Sequence, residues 1–321
     1  VTATTSSADP DTSRAVTHRR AARKDGSRAY LPYLIPMAIG FIVVVAAPFI
    51  VNVAFTGFSW KGGRAPMKWV GWQNYVTLMH DDLFWRSFGN SVFMIIGMVV
   101  IPTLIGLFLA SFLFDYIGKK FGMGAASFLR ATFYLPQILP IAVAGVVWAW
   151  ILDANTGALN STLDTLGIKN TPDWLGDPHL AVYSIMLVLV WIQIGYPVVI
   201  FMSALQRVDP ELYEAAELDG AGWWRRFRAI TIPQIRPELF VVSLTATVNA
   251  LKVFGPVWIL TSGGPENSTY VPSYYSYRNF FEISKVGYGA TIATVMSLVI
   301  FVVTMLMMWW QRRDAKASGV Q

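Results

Sequence analysis

Cysteine is absent from the 321 residues, which excludes disulfides, thiol catalysis and cysteine-ligated metals. Charge is scarce: Asp, Glu, Lys and Arg fill 14% of positions, where a soluble domain carries about 25%. Histidine occurs only at His18, His80 and His179, far apart and outside the apolar runs, so no metal-ligating pair such as His-x-x-x-His exists. Carboxylates are almost missing from the apolar runs. Chemistry inside a bilayer would need paired carboxylates, a Ser/His pair or a metal set there. No Walker A loop occurs either, because Gly118-Lys119 lacks both the upstream glycine and the following Ser or Thr. These absences point away from an enzyme, and from a chain that binds ATP or any cofactor by itself.

What is present is apolar length. Hydrophobic residues make up 55% of the chain. Runs at Leu31–Thr56, Ser91–Phe114, Thr132–Leu152, Leu180–Leu205, Leu239–Leu260 and Tyr288–Trp310 each reach the roughly 20 residues a bilayer crossing needs. Prolines within them (Pro32, Pro36, Pro48, Pro102, Pro136, Pro140, Pro197) would break soluble helices. Neighbouring helices in a bundle can satisfy the freed backbone groups. The expectation is an all-α polytopic membrane protein with six transmembrane helices over 31–310. A polar, basic and disordered tail of 30 residues precedes them, and a short tail over 311–321 follows. "HRRAARK" is similar to the basic end of a signal peptide, but the apolar run behind it is too long for one and is read as a retained span.

Seventeen of the 25 lysines and arginines fall in the two tails and in the 115–131 and 206–238 loops, against seven in the alternate loops. The positive-inside rule then places both termini and the 206–238 loop in the cytoplasm. The net charge of +6 is thereby explained as topology, without nucleic acid.

The longest of these cytoplasmic loops carries "VDPELYEAAELDGAGWWRRFRAITIP" (208–233). Asp209 can cap a helix, Pro210 suits its first position and Glu211 favours the positive end of the dipole. Gly220 can stop the helix in the left-handed conformation. A second helix, "AGWWRRFRAI", is expected to end before Pro233. Ala215, Ala216 and Ala221 leave room for another protein to lie close. The residues alone allow two readings: a docking helix, or an interfacial hairpin with Trp223 and Trp224 at the headgroups and arginines facing lipid phosphate.

"EAAELDGAGWWRRFRAITIP" resembles the EAA loop of binding-protein-dependent ABC importer permeases, with isoleucine at 232 where leucine is usual before the proline. The stretches "WVGWQNYVTLMHDDLFWRSFGNSV" (69–92), "FLRATFYLPQILPIAVAGVVWAWILDANTGALNSTLDTLG" (128–167) and "ILTSGGPENSTYVPSYYSYRNFF" (259–281) are similar to the carbohydrate-uptake (maltose or glycerol-3-phosphate type) branch of that family. The resemblance implies the type I permease fold in a bacterial cell membrane. It implies a second permease subunit, two ABC ATPase subunits that hold the ATP and magnesium, and an extracytoplasmic solute-binding protein. It also implies coupling to the ATPase through Glu214, Ala215, Ala216, Asp219, Gly220, Ala221, Ile230 and Pro233.

A sugar path wants aromatic faces and neutral hydrogen-bonding groups at mid-membrane depth. The fourth run offers Trp191, Gln193 and Tyr196, and the fifth Asn249, Lys252, Phe254 and Trp258. Packing or interhelical hydrogen bonding would account for most of them equally well. Lys252 is either in a cavity or snorkelling. In a cavity it would suit an anionic substrate, which keeps glycerol-3-phosphate or a sugar acid beside a neutral oligosaccharide. A secondary carrier is the alternative without an ATPase, and a membrane enzyme is a distant third.

Overall fold

The computed structural model describes residues 31–317, so the expected tail over 1–30 and the last four residues lie outside it. Within the first unit, which ends at Asn52, the described residues are helical and, from Tyr33 on, belong to α1 (Tyr33–Phe55). It is apolar throughout and none of its most hydrophobic window is buried, which is the surface a bilayer covers.

The second unit begins at Val53. Phe58–Ser59 pairs antiparallel with Lys68–Trp69, and a short helix, α2 (Gln73–Met79), follows. The dominant element is α3 (Asp82–Ile117), 36 residues long and therefore about 54 Å from end to end. Asp81 starts it: its carboxylate accepts the N–H of Leu83 at 2.9 Å and of Phe84 at 3.2 Å, meeting two donors that a helix end leaves unpaired.

The third apolar run is not one straight crossing. It forms α4 (Met123–Ile138) and α5 (Ile141–Ile151), bent by 91° at Leu139-Pro140, because the residue before a proline is driven out of the helical region; Leu139 has ψ 133°. A short helix, α6 (Ala158–Thr165), leads to α7 (Ala181–Leu205), which is continuous. Gly195 lets α7 approach α4, since a Cβ there would lie 2.7 Å from the Tyr134 Cα and 2.5 Å from the Phe133 carbonyl.

The fifth run also departs from the expected single helix. It divides into α10 (Arg236–Leu251) and α11 (Gly255–Leu260), with Lys252 in a non-helical conformation at the break. The cause is Pro256, which cannot donate to an α10 carbonyl and opens a new helix instead. Among the described residues, four helices are long and apolar enough to cross a membrane, or five with the bent α4–α5 pair taken as one crossing. After α12 (Pro272–Tyr277), α13 (Val286–Ala317) runs past the expected boundary at Trp310.

Two buried clusters sit along α3. One gathers Phe84, Met94, Ile185, Val257, Tyr270 and Ile292; the other gathers Leu107, Leu113, Phe201, Leu205, Phe227 and Val242. Helix α3 therefore joins the loops at one end of this unit to the 206–235 loop at the other.

Candidate functional site

The 206–235 loop folds as a helical hairpin at the Ile117 end of α3. Its first helix, α8 (Pro210–Leu218), is capped by Asp209, whose side chain accepts the Glu211 N–H at 3.0 Å. It ends as the glycine predicts. Gly220 has φ +72°, its N–H bonds the Glu217 carbonyl at 3.0 Å, and the Ala221 N–H bonds the Ala216 carbonyl at 2.9 Å. These two bonds make a Schellman cap.

The second helix, α9, begins at Trp223–Arg226 and does not end before Pro233. It passes through a π turn at Phe227–Thr231 into Ile232–Gln234. The Ile232 N–H bonds the Phe227 carbonyl, five residues back. This widened turn relieves the crowding a proline imposes on the preceding turn. Ile230 is half-buried and Pro233 exposed.

Three contacts hold the hairpin's inner side. The hydroxyls of Tyr213 and Thr231 lie 3.1 Å apart, and burial pushes the Tyr213 phenol above its ordinary pKa. The Trp223 indole N–H donates to Asp115 Oδ2 of α3 at 3.2 Å. Phe227 is buried and stacks on Trp223 with ring centroids 5.0 Å apart. Arg226 pairs with Glu217 at 2.8 Å, and Arg207 with Glu238.

The outer side is open. Glu211, Glu214, Ala215 and Leu218 are all exposed and share one helical face. Leu218 is 90% exposed, a large apolar side chain at a charged helix end with nothing of its own chain over it. Asp219 and Gly220 complete this exposed tip, whereas Ala216 and Ala221 are half-buried. The eight residues expected to couple thus share one hairpin, with Glu214, Ala215, Asp219, Gly220 and Pro233 exposed and Ala216, Ala221 and Ile230 half-buried.

The seven residues expected along a substrate path do not share one setting. Phe254 and Trp258 stack at 6.0 Å, and Tyr277 meets both rings, at 5.1 and 6.4 Å. Trp191 instead meets Trp148 edge to face at 5.4 Å. Tyr196 packs against the cluster near the hairpin. Gln193 is buried with its Nε2 unpartnered among the described residues. Asn249 and Lys252 are exposed, and Lys252 stands at the α10–α11 break rather than at a helix centre. The pair Gly255-Pro256 was the sequence signal for that break. Tyr277 was missed because "SYYSY" belongs to no apolar run.

The opposite end of α3 holds a second arrangement that sequence reasoning missed. Tyr275 donates its hydroxyl to Asp81 Oδ2 at 2.7 Å, and Tyr288 donates to the same oxygen. Burial opposes the Asp81 charge. The two hydroxyls and the Phe84 and Leu83 N–H groups outweigh it and hold the carboxyl below its usual range. The Tyr275 phenol is pushed up to about 12 by burial and by that carboxylate. Around this knot lies a polar cavity of about 870 Å³ lined by Trp60, Lys61, His80, Asp82, Asn279 and Lys285 among others.

Residues 103–316 match the family described as binding-protein-dependent transport system inner membrane component. A Pyrococcus horikoshii protein described as a probable ABC transporter permease is 34% identical over 87% of this chain and 96% of its own length. The diacetylchitobiose uptake system permease protein NgcF of Streptomyces coelicolor is 30% identical over 94% of this chain and 87% of its own. In fold, the chain is similar to a chain from the crystal structure of a bacterial ABC transporter involved in the import of the acidic polysaccharide alginate. The TM-score is 0.76 at 23% identity, covering 89% of this chain and 96% of that one. With a helical multi-pass architecture and an EAA-type hairpin at one end of its longest helix, the chain belongs to the binding-protein-dependent ABC importer permeases, transport components that are not themselves enzymes.

Proposed function

We propose that this chain is one of two transmembrane subunits of an ATP-driven importer that carries a sugar, of di- or oligosaccharide or glycoside type, into the cell. Six crossings are counted when α4–α5 and α10–α11 are each taken as one, with both termini and the α8–α9 hairpin in the cytoplasm. The observation that carries the reading is the exposed face Glu214, Ala215 and Leu218 on a rigidly capped helix. An apolar side chain left that open beside carboxylates suits insertion into a cleft of another protein.

In this reading the cleft belongs to an ABC ATPase subunit, which holds the ATP and magnesium. Closure of two such subunits draws this hairpin toward that of the second permease and moves α3 through the Trp223–Asp115 bond. A solute-binding protein docks outside, at the Asp81 end of α3, and releases sugar into the opened path. The path is lined by aromatic faces from Phe254, Trp258 and Tyr277, with Trp191, Gln193, Tyr196 and Asn249 as further candidates. The diacetylchitobiose relative supports the sugar class.

A second reading rests on Lys252. Exposed at a helix break, it is free to meet an anion, which suits glycerol-3-phosphate or another anionic polyol. A secondary carrier has less support, since the hairpin would then lack a role.

The chain has no cysteine of its own, so single cysteines at Ala215 and Leu218 give clean cross-linking sites. Capture of an ATPase subunit from the assembled transporter is expected. Labelling of both positions from outside the cell would overturn the orientation and the coupling role together. Uptake of neutral oligosaccharides against glycerol-3-phosphate, in the native chain and in Lys252→Gln, separates the two substrate classes.

A further inference from the structure

The coupling face leaves Trp224, Arg225 and Arg228 unused. With Gly222, Trp223 and Ala229 they line an open hollow of about 690 Å³ on the flank of α9. Arg226 is taken by Glu217, whereas Arg225 and Arg228 are exposed and have no ion-pair partner among the described residues. Both line this one hollow, Arg225 from the α-helical turn and Arg228 from the π turn. Trp224, 61% exposed, stands beside them.

The surroundings set the depth of this hollow. Trp223 meets Phe108 of α3 edge to face and bonds to Asp115 near the end of that helix. Phe108 and Phe112, both exposed, stack in line, and Phe112 stacks on Tyr116. An exposed aromatic ladder on a bilayer-crossing helix faces acyl chains. It ends in the last turn of α3, where hydrocarbon gives way to headgroups. Tryptophan favours that level, and a guanidinium fork there matches phosphate oxygens bidentately.

We propose that the hollow binds the phosphate of an anionic membrane phospholipid, with Arg225 and Arg228 on the phosphate and Trp224 beside the headgroup. The lipid's chains lie along the Phe108–Phe112 ladder. Because Arg226 on the same helix is tied to Glu217 of α8, an occupied site pins the coupling hairpin to the membrane surface. The site is separate from the Glu214–Leu218 face, so either assignment can fail without the other.

The full-length chain in mild detergent, supplied with phosphatidylglycerol or phosphatidylcholine and weighed by native mass spectrometry, tests this. Phosphatidylglycerol should be retained about tenfold more than phosphatidylcholine. The Arg225→Gln/Arg228→Gln pair should erase that preference without shifting the thermal midpoint. An Arg225→Lys/Arg228→Lys pair, which keeps the charge but loses the fork, should retain an intermediate amount, and it carries the test if the Gln pair fails to fold. Equal retention of the two lipids, or unchanged phosphatidylglycerol retention in the Gln and Lys pairs, overturns the proposal. So does displacement of the lipid by inorganic phosphate, which would make the hollow a soluble-anion site. So does loss of ATPase cross-linking from Leu218 in the Gln pair with lipid retention unchanged, which would give the arginines to a protein contact.

Discussion

The two ends of α3 handle charge in opposite ways. At the Asp81 end one carboxylate takes two tyrosine hydroxyls and two backbone N–H groups, so its acceptor capacity is met within the chain. At the Asp115 end the hairpin is fixed inward by Tyr213 and Trp223, while Glu214, Arg225, Arg228 and Leu218 face outward with no such network. A saturated network stabilises its own fold. An unsaturated face on a rigid scaffold is what a partner can use, because its groups lose little conformational freedom on binding.

Substitutions that separate uptake from stability can break this contrast. The largest effect is expected at the tip of α8. Glu214→Ala should abolish uptake by the assembled transporter while leaving the thermal midpoint within experimental scatter, since exposed positions shift stability by about 0.5 kcal/mol or less. Gly220→Pro should abolish uptake as well, because proline fixes φ near −65°, far from the +72° observed. Normal uptake in both would remove the hairpin from the mechanism.

Next in size is Asp81→Ala, which should act in the reverse sense. It deletes a helix cap, about 1 kcal/mol, and strands two partly buried hydroxyls, about 1–3 kcal/mol each. Thermal unfolding in detergent should show a loss of at least about 3 kcal/mol, the lower end of that sum. A midpoint equal to that of the native chain would show that the knot holds nothing.

A smaller effect comes from pH. Asp81 has a folded pKa below the ordinary 3.8, so its stabilisation is complete above about pH 4 and is lost as pH falls through the folded value. Unfolding scans should therefore show the native chain losing its advantage over Asp81→Asn only on acidification below about pH 4. A gap that instead widens toward low pH would reverse the sign.

The smallest effect belongs to Arg226 and Glu217. The Glu217 side chain is 64% exposed, so a double-mutant cycle on thermal stability should return under about 1 kcal/mol of coupling. A larger value would mean that the hairpin is held by charge rather than by Trp223 and Tyr213.

Much of the hairpin was legible in the sequence because its signals act over a few residues. Asp209 caps its neighbour two positions on, and Gly220 closes a cap spanning six residues. Four of the apolar runs were legible as single spans for the same reason. The prolines at 140 and 256 were visible, but how far each would divert the chain was not, since that depends on what the second arm packs against. Helix α11 packs on α5 through Gly145, where an added Cβ would strike Ile259, and no local pattern records that meeting. The residues expected along a path were scattered for a related reason: aromatic type identifies a ring, and only packing selects its neighbour.

By itself the sequence determined that the chain enters a membrane, that four of its apolar runs form single long helices, and that one capped hairpin interrupts them. Those outcomes follow from hydropathy, backbone torsion and capping, all settled within a few residues. Tertiary structure alone decided that Trp223 would reach Asp115, 108 positions away, and that Asp81 would find Tyr275 and Tyr288, 194 and 207 positions away. It decided which charges would be left without a mate, because a side chain's partner is fixed by the packing of distant helices and not by its neighbours in the chain.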